Sequence, residues 1–242
     1  NNLFSPASGK PVNTPSQDIP LGCFALTYFR ELPHADDGKK KKEAPRMPLF
    51  NDPAEVEFAV SEGGVELNQK IIYRNPDYKT TGRIFGDATK ATIETTPGRV
   101  RFNEIWPDEL GFYNNVVGKK QLSDIIWRCF QTSGQKETVF CLDRLKMLGF
   151  REAMRSGCSI GITDMMIPPA KKLALEKARA EVDVVDKQYR RGIITNGERY
   201  QKVIDIWTGA GDEVTKEVFR TLEYNEGKKL HNPLYIMVTS GA

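Results

Sequence analysis

The chain has 242 residues, 39% hydrophobic and 28% charged, a balance typical of a folded globular protein and not of a disordered one. Its 35 basic residues are nearly matched by 32 acidic ones. The net charge of +3 therefore does not by itself indicate a surface that binds nucleic acid. No apolar run approaches the roughly 20 residues that cross a bilayer, and the start lacks the basic and apolar regions of a signal peptide. We therefore expect a protein that is neither secreted nor embedded in a membrane.

The cysteines do not have the spacing of a zinc site. There are four of them, none in a CxxC pair, and only two histidines could join them. Two of the cysteines fall inside apolar helical patterns, where a reduced thiol behaves as a small hydrophobic group, so we expect a reducing, cytosolic compartment. The residues concerned are Cys23, Cys129, Cys141, Cys158, His34 and His231.

The first 50 residues predict one helix and one exposed loop. Ser16 can cap a helix that runs to about Arg30, with Pro20 tolerated in its first turn. From Glu31 to Pro48 the chain reads ELPHADDGKKKKEAPRMP, and four lysines between prolines indicate an exposed loop. A contact of Lys39 to Lys42 with nucleic acid is the alternative that this loop leaves open.

A short helix and a small sheet are predicted next. Asp52 and Pro53 start the helix and Gly63 with Gly64 ends it. Residues 65–74 and 98–107 are rich in β-branched and aromatic side chains, and residues 80–96 supply a weaker strand or hairpin. We expect these segments to form a small antiparallel sheet.

The second half is predicted to be helical. Residues 119–134 carry apolar side chains at 122, 125, 126, 129 and 130, the stripe of an amphipathic helix. Residues 136–157 show the same amphipathic pattern, and Gly157 can end this second helix in a left-handed backbone conformation. The core candidates of that second helix are Val139, Leu142, Leu145, Met147 and Phe150.

The spacing of apolar residues after 170 predicts two helices that pair as a coiled coil. The break at Gly192, followed by Asn196-Gly197, makes them an antiparallel hairpin whose tip is the stretch from Arg190 to Arg199. A first arm of roughly 24 residues would be about 36 Å long, which is enough to project from a globular body. The seam candidates are Leu175, Ala178, Val182, Val185 and Tyr189, then Tyr200, Val203, Trp207, Ala210 and Val214.

Four collinear motifs resemble the largest subunit of bacterial RNA polymerase. They are NNLFSPASGKPVNTPSQDIPLG (1–22), MRSGCSIGITDMMIP (154–168), RRGIITNGERYQKVIDIW (190–207) and NPLYIMVTSGA (232–242). The chain also opens without Met and stops directly after an apolar stretch, so we expect it to be an internal piece of a longer protein. Residues 31–90 are the least similar part.

The resemblance implies a fold, a domain division and a role. It implies an α+β, mostly helical fold, with a pore region in residues 1–165 and a funnel region in residues 166–242 whose coiled-coil hairpin protrudes as a rim. The family's Mg²⁺-binding motif NADFDGD would lie before Asn1, and the trigger loop and bridge helix after Ala242. This piece would therefore wall the secondary channel for nucleotides, carry no catalytic or metal-binding residue, bind no cofactor, and be inactive alone. Adjacent Asp36 and Asp37 are expected to be solvated.

The same resemblance implies candidate binding residues. Gln17 matches a position near the substrate, although it could simply begin a helix. Glu198, Arg199, Tyr200, Gln201 and Lys202 match the rim that docks factors of Gre or DksA type, the alternative being that Tyr200 belongs to the seam and the charges are solvated. Gln201 and Lys202 also match contacts to the stringent-response nucleotide, whose second site, shared with omega, would use Lys136 and Asp143. Met147 stands where the family has Tyr in that second site.

The implied partners are those of the whole enzyme. They are the beta, alpha and omega subunits, the channel-entering factors and the nucleotide substrates, with DNA and RNA bound only through the full polymerase. A cytoplasmic, nucleoid-associated location without membrane contact follows.

Two alternatives come from other classes of protein. One is a free-standing coiled-coil interaction protein, which the seam would support. The other is a nucleic-acid-binding module that uses Lys39 to Lys42 with Arg99 and Arg101. The run SGCSIG lacks the Lys-Ser/Thr of a phosphate loop and is interpreted as a turn.

Overall fold

A computed structural model describes Ser5 and residues 11–12, 14–29, 47–223 and 232–242. No helix within these ranges is long and apolar enough to cross a membrane. The described α-helices and strands are α1 (Asp18–Thr27), β1 (Leu49–Phe50), α2 (Pro53–Ser61), β2 (Ile71–Arg74), β3 (Thr92–Thr95), α3 (Pro97–Asn103), α4 (Lys119–Ser156), α5 (Ala170–Arg190), α6 (Asn196–Glu223) and α7 (Pro233–Ser240).

These elements confirm the predicted helical α+β fold with one small sheet. The chain divides into two compact units: the first unit comprises Asn1–Ser159 with Ile236–Ala242, and the second unit comprises Ile160–Tyr235. The units are defined by packing alone. The functional division at residue 165 therefore stays a prediction.

The sheet is mixed, and the prediction of a purely antiparallel sheet was wrong. β2 pairs with β3 in antiparallel fashion, with Ile71 opposite Thr95. β1 lies on the other side of β2 and is parallel to it, with Leu49 opposite Ile72. The reason is the connection: α2 crosses over between β1 and β2, and a crossover permits the parallel direction that a tight hairpin forbids.

The predicted strand at 98–107 was also wrong, because residues Pro97–Asn103 form α3. The Thr96 hydroxyl accepts a hydrogen bond from the Arg99 amide at 3.3 Å, and Pro97 occupies the first helical turn. Such a cap with a pre-set proline φ starts a helix even though the residues after it are rich in β-branched and aromatic side chains. Val100 and Phe102 of this helix are both buried.

The core of the first unit depends on a close crossing of α1 and α4. A Cβ atom added to Gly22 would lie 2.7 Å from the Ala153 backbone nitrogen and closer still to the Gly149 carbonyl oxygen. Thr27, at the end of α1, donates its hydroxyl to the Cys23 carbonyl at 2.7 Å and accepts from the Val117 amide at 2.9 Å. Two glycines therefore let the helices approach, and one buried hydroxyl ties α1 to the segment before α4.

The long helix α4 contains a bend where the sequence predicts a break. Gly134 has φ 78° and ψ −179°, so two helical limbs meet there. The first limb buries the predicted residues Leu122, Ile125, Ile126 and Cys129. In the second limb Leu145 is buried and Leu142 packs against the core, as predicted.

The other core candidates of the second limb were wrong. Val139, Met147 and Phe150 are exposed. The buried face of this limb consists instead of Thr138, Cys141, Leu145, Leu148, Gly149 and Glu152. Thr138 and Glu152 are polar, so a prediction based on hydrophobicity does not assign them to the buried face. Thr138 satisfies its hydroxyl within the helix, on the Gly134 carbonyl, and Glu152 pairs with Arg101 of α3.

The second unit contains the predicted antiparallel helical hairpin. α5 and α6 have 21 and 28 residues, or about 32 and 42 Å at 1.5 Å per residue. Ala178 of α5 and Ala210 of α6 line the same groove between the two helices, and the Arg199 guanidinium lies 3.4 Å from the Asp186 carboxylate. Ala174, Ala178, Val185 and Ala210 are buried in this interface.

Candidate functional site

The turn between α5 and α6 is fixed by backbone hydrogen bonds. Gly192 has φ 70°, and its amide donates to the Tyr189 carbonyl at 2.9 Å. The Ile193 amide donates to the Gln188 carbonyl at 3.0 Å. This pair of bonds is the Schellman motif, in which a left-handed glycine ends a helix. It confirms the predicted break at Gly192 and gives the tip a defined backbone.

Glu198 caps the second helix of the hairpin. Its carboxylate accepts from the Thr195 amide at 2.7 Å and from the Thr195 hydroxyl at 3.0 Å, while the Glu198 amide donates to that hydroxyl at 3.3 Å. These bonds, with a smaller contribution from Lys202, hold the pKa of Glu198 below its ordinary value. The arrangement is a capping box, and the T-x-x-E pattern could have been read from the sequence.

Arg199 is bound within the hairpin. Its guanidinium lies 3.4 Å from the Asp186 carboxylate, 3.2 Å from the Asn196 amide oxygen and 5.0 Å from the centroid of the Tyr189 ring. Its Nε is buried without a hydrogen-bond partner among the described residues. The cation therefore closes the end of the interface between α5 and α6.

The surface of the tip comes from the other predicted residues. Tyr200 is 65% exposed, so the assignment of this residue to the seam was wrong; Arg199 occupies the inward position instead. Lys202 is exposed, and Gln201 donates to the Asp205 carboxylate at 3.1 Å. Ile193, which the sequence analysis missed, is 65% exposed and adds an apolar side chain to this tip.

Gln17 lies at the start of α1 in a strained backbone conformation. Its φ is 56°, a left-handed value that non-glycine residues rarely adopt, and its side chain is exposed. It occupies the N-cap position without a side-chain capping bond, so the predicted Ser16 cap was wrong; the Ser16 carbonyl accepts from the Ile19 amide instead. Residues held in such conformations cluster at functional sites.

Lys136 and Asp143 are both exposed on the second limb of α4. Seven residues apart, they are separated by about 10 Å along the helix. Asp143 is paired with Lys146 at 3.0 Å and lines a shallow cleft of about 370 Å³ together with Arg144 and Met147. The lining of that cleft does not include Lys136, so the structure does not gather the two predicted residues into one pocket.

The two arginines of the nucleic-acid hypothesis are engaged inside the first unit. Arg99 donates to the Thr27 carbonyl and to the Asn114 carbonyl, each at 2.9 Å, and burial lowers its pKa. Arg101 pairs with Glu57 at 2.5 Å and with the buried Glu152 at 3.2 Å. Neither guanidinium is available for phosphates, so that part of the hypothesis was wrong. Lys39 to Lys42 lie outside the described residues.

Metal-binding groups are not clustered in the part of the chain that the structure describes. No set of three or more His, Cys, Asp or Glu side chains could hold an ion there. All four cysteines are free thiols. The Asp36-Asp37 pair and the two histidines lie outside the described residues.

Comparison with known proteins extends along the whole chain. The family model described as RNA polymerase Rpb1, domain 3, matches residues 2–165. The DNA-directed RNA polymerase subunit beta' of Methylacidiphilum infernorum is 52% identical over 241 residues, covering 100% of this chain and 17% of the relative. The corresponding subunits of Opitutus terrae and Chlamydia muridarum are 48% and 41% identical, with the same coverage of both chains.

The chain thus spans 17% of the length of the curated relatives it matches. The resemblance carried by the four motifs is confirmed. The chain belongs to the RNA polymerase Rpb1 domain 3 family, and its sequence corresponds to part of the beta-prime subunit.

Proposed function

We propose that this chain forms the pore and funnel region of the largest subunit of a DNA-directed RNA polymerase. In this role it walls the secondary channel through which nucleotides reach the active site, and the hairpin tip docks factors of Gre or DksA type that enter the channel. One observation carries the proposal: similarity to beta-prime subunits extends over 100% of the chain, hairpin included. The proposed docking surface is the tip together with the first residues of α6 that follow it, residues 190–202.

Template-directed nucleotidyl transfer belongs to the whole enzyme in this proposal. We assign no catalytic step to the described residues. The chain's role is to shape the route for nucleotides and to contact the beta, alpha and omega subunits. DNA and RNA bind through the assembled polymerase, in the cytoplasm and at the nucleoid.

The docking role rests on the rigidity of the tip. The backbone of the tip is fixed from both helices. The Schellman motif at Gly192 ends α5, the capping box at Thr195 begins α6, and Arg199 of α6 contacts Asp186 of α5. A surface that is ordered before binding loses less conformational entropy when a partner arrives. The tip can therefore bind specifically through few contacts.

The chemistry of the tip suits a protein partner. Tyr200 and Ile193 are each 65% exposed, and Lys202 is an exposed cation two residues after Tyr200. Exposed tyrosines dominate the energetics of many interfaces, whereas charges at the rim of an interface set orientation and association rate. We infer that Tyr200 provides the main contact area and that Lys202 selects an acidic partner surface.

Nucleotide-binding roles are proposed for five residues in three parts of the chain. Lys202, with Gln201, can bind the phosphates of the stringent-response nucleotide jointly with a docked factor, because lysine is an effective phosphate ligand. Lys136 and Asp143 are proposed contacts of a second site shared with omega. Gln17 is proposed to lie near the substrate, where its amide can both donate and accept hydrogen bonds.

The test uses polymerase assembled with full-length variant subunits and measures the dissociation constant of a Gre-type factor. Tyr200→Ala and Lys202→Glu are each expected to weaken binding about tenfold or more, the effect of removing an interface hot spot. Lys216→Glu makes the same charge reversal farther along α6 and serves as the matched control. Transcript elongation without the factor reports whether the variants assemble normally.

Two variants of Glu198 distinguish a loss of docking contacts from a loss of order in the tip. Glu198→Gln preserves the capping box, since glutamine also serves at that position, and is expected to retain affinity. Glu198→Lys removes the cap and should weaken binding through loss of tip order. Wild-type affinity in both Tyr200→Ala and Lys202→Glu would exclude the tip as the docking surface.

A further inference from the structure

An asparagine-glycine pair lies at the start of α6, within the tip of the hairpin. Asn196 and Gly197 are both exposed, and a Cβ atom added to Gly197 would meet nothing within 4 Å. The dipeptide Asn-Gly occurs once in the sequence. Because glycine has no Cβ atom, its backbone nitrogen can be approached closely by a neighbouring group. The pair therefore combines an amide side chain with a backbone nitrogen that is sterically open and in contact with solvent.

The first turn of α6 engages some of its backbone amides and not others. The first N–H groups of an α-helix have no acceptor within that helix. The Glu198 amide donates to the Thr195 hydroxyl at 3.3 Å, and the Arg199 amide donates to the Thr195 carbonyl at 3.0 Å. The Gly197 amide has no such acceptor among the residues that the structure describes. Within the described structure, its proton can therefore pass to a solvent base without loss of a hydrogen bond.

The side-chain amide of Asn196 is polarised by a fixed cation. The Arg199 guanidinium donates to the Asn196 side-chain oxygen at 3.2 Å. The same guanidinium lies 3.4 Å from the Asp186 carboxylate and 5.0 Å from the centroid of the Tyr189 ring, which hold it in place. A donor that is positioned before a reaction stabilises negative charge as it develops on an oxygen. The Asn196 oxygen acquires such charge when a nucleophile adds to Cγ, so this contact favours the addition.

We propose that Asn196 is a deamidation site at which the tip modifies itself, with water as the co-reactant. The deprotonated Gly197 nitrogen attacks Cγ of Asn196, a C–N bond forms, and the side-chain nitrogen leaves as ammonia, which gives a cyclic succinimide. Water then adds to one of the ring carbonyls, and the C–N bond of that carbonyl breaks. Addition at Cγ gives aspartate, whereas addition at the backbone carbonyl gives isoaspartate. No electrons are exchanged, and the thermal lability of asparagine supplies the driving chemistry.

The two products affect the tip differently. Aspartate keeps the backbone and places a carboxylate beside Arg199 in the first turn of α6, where the helix dipole favours negative charge. Isoaspartate directs the backbone through the side-chain carbon and lengthens it by a methylene group between Thr195 and Glu198. The capping box depends on the spacing of these two residues, so isoaspartate breaks it. If the tip docks factors as proposed above, this product disorders the docking surface.

The experiment uses polymerase assembled with the full-length subunit and aged at mildly alkaline pH, which favours the deprotonated amide. Trypsin cleaves after Arg191 and Arg199, so residues 192–199 form a peptide whose amidated, aspartate and isoaspartate forms are separated by chromatography and identified by mass spectrometry. An unaged sample digested in the same way gives the background. The expected result is that both products accumulate with age.

Gly197→Ala is the matched control for the attack. Its Cβ atom meets nothing in the fold but hinders the approach of the backbone nitrogen to Cγ of Asn196. We expect no product in this variant over the time in which half of the wild-type protein converts. Conversion at the wild-type rate would overturn the proposal, because the attack would not then depend on the open glycine.

A second pair of variants tests the donor. Arg199→Met removes it and should deamidate roughly three- to tenfold more slowly, the effect of losing one hydrogen bond. The tryptic peptide of that variant extends to Lys202. Asp186→Asn weakens the same contact between α5 and α6 but keeps the donor, so it should deamidate at least as fast as wild type. Faster deamidation in Arg199→Met would show that the contact protects Asn196, which overturns the proposal.

The affinity of a Gre-type factor tests the effect on docking. It should fall roughly two- to thirtyfold for the isoaspartate form, the effect of losing a helix cap. The peptide analysis does not depend on docking, so failure of this proposal is distinguishable from failure of the proposed function. The proposal is overturned if residues 192–199 stay amidated while a synthetic peptide of the same sequence deamidates. It is also overturned if isoaspartate accumulates without loss of affinity for a factor that Tyr200→Ala and Lys202→Glu release.

Discussion

Replacing Gly22 by alanine tests whether the crossing of α1 and α4 holds the first unit together. In an open helix this change is favourable by about 0.5–1 kcal/mol, because alanine loses less backbone entropy on folding. At Gly22 the added methyl would lie 2.7 Å from the Ala153 nitrogen and closer to the Gly149 oxygen. Both neighbours are backbone atoms of α4, so no side chain can rotate away.

The magnitude follows from that geometry. Relief of the overlap requires α1 to move away from α4, which opens gaps beside Cys23 and Leu26, and overpacking of this kind costs about 1–3 kcal/mol. We place Gly22→Ala at the upper end, about 3 kcal/mol. For a unit of this size, that loss lowers the melting temperature by roughly 6–12 °C.

Gly209→Ala is the matched control, because this glycine lies within α6 and an added Cβ would meet nothing within 4 Å. The same substitution should there be neutral or raise stability by up to about 1 kcal/mol. Thermal unfolding can be followed unit by unit through tryptophan fluorescence, since Trp106 and Trp127 belong to the first unit and Trp207 to the second. A loss below about 1 kcal/mol for Gly22→Ala would refute the close-crossing argument.

Three further predictions concern buried or capped groups. Thr27→Val leaves the buried amide that Thr27 binds without its acceptor and should cost about 1–3 kcal/mol in urea unfolding. The pKa of Glu198 is lowered by its bonds to Thr195, so its stabilising effect is present above the ordinary value of 4.5 and is lost as the pH falls through the lower folded value. NMR titration should show that midpoint return toward 4.5 in Thr195→Val. Iodoacetamide should modify Cys158 before Cys23, whose pKa is about 12 and whose side chain is fully buried; the reverse order by mass spectrometry would contradict the packing of α1.

The candidate site was predictable in position but not in the role of each residue. The seam spacing and Gly192 placed a tip at Arg190 to Arg199, and the structure has a turn there. The same pattern did not predict that Arg199 faces the partner helix while Tyr200 stays exposed. A heptad-like pattern allows either neighbour to face the partner helix where the interface ends, and the contact of Arg199 with Asp186 and Tyr189 decides between them.

By itself, the sequence determined the helices with strong periodic patterns, the glycine stops and the family. These features are local or are carried by residue identity, so neighbouring positions suffice to specify them. Only the tertiary structure decided the direction of β1, the helical state of Pro97–Asn103 and the buried face of the second limb of α4. The direction of β1 depends on its pairing with β2, and the helix Pro97–Asn103 depends on a Thr96 cap that the sequence analysis missed. The buried face of the second limb depends on which elements pack against it, and the periodicity of the sequence does not contain that information.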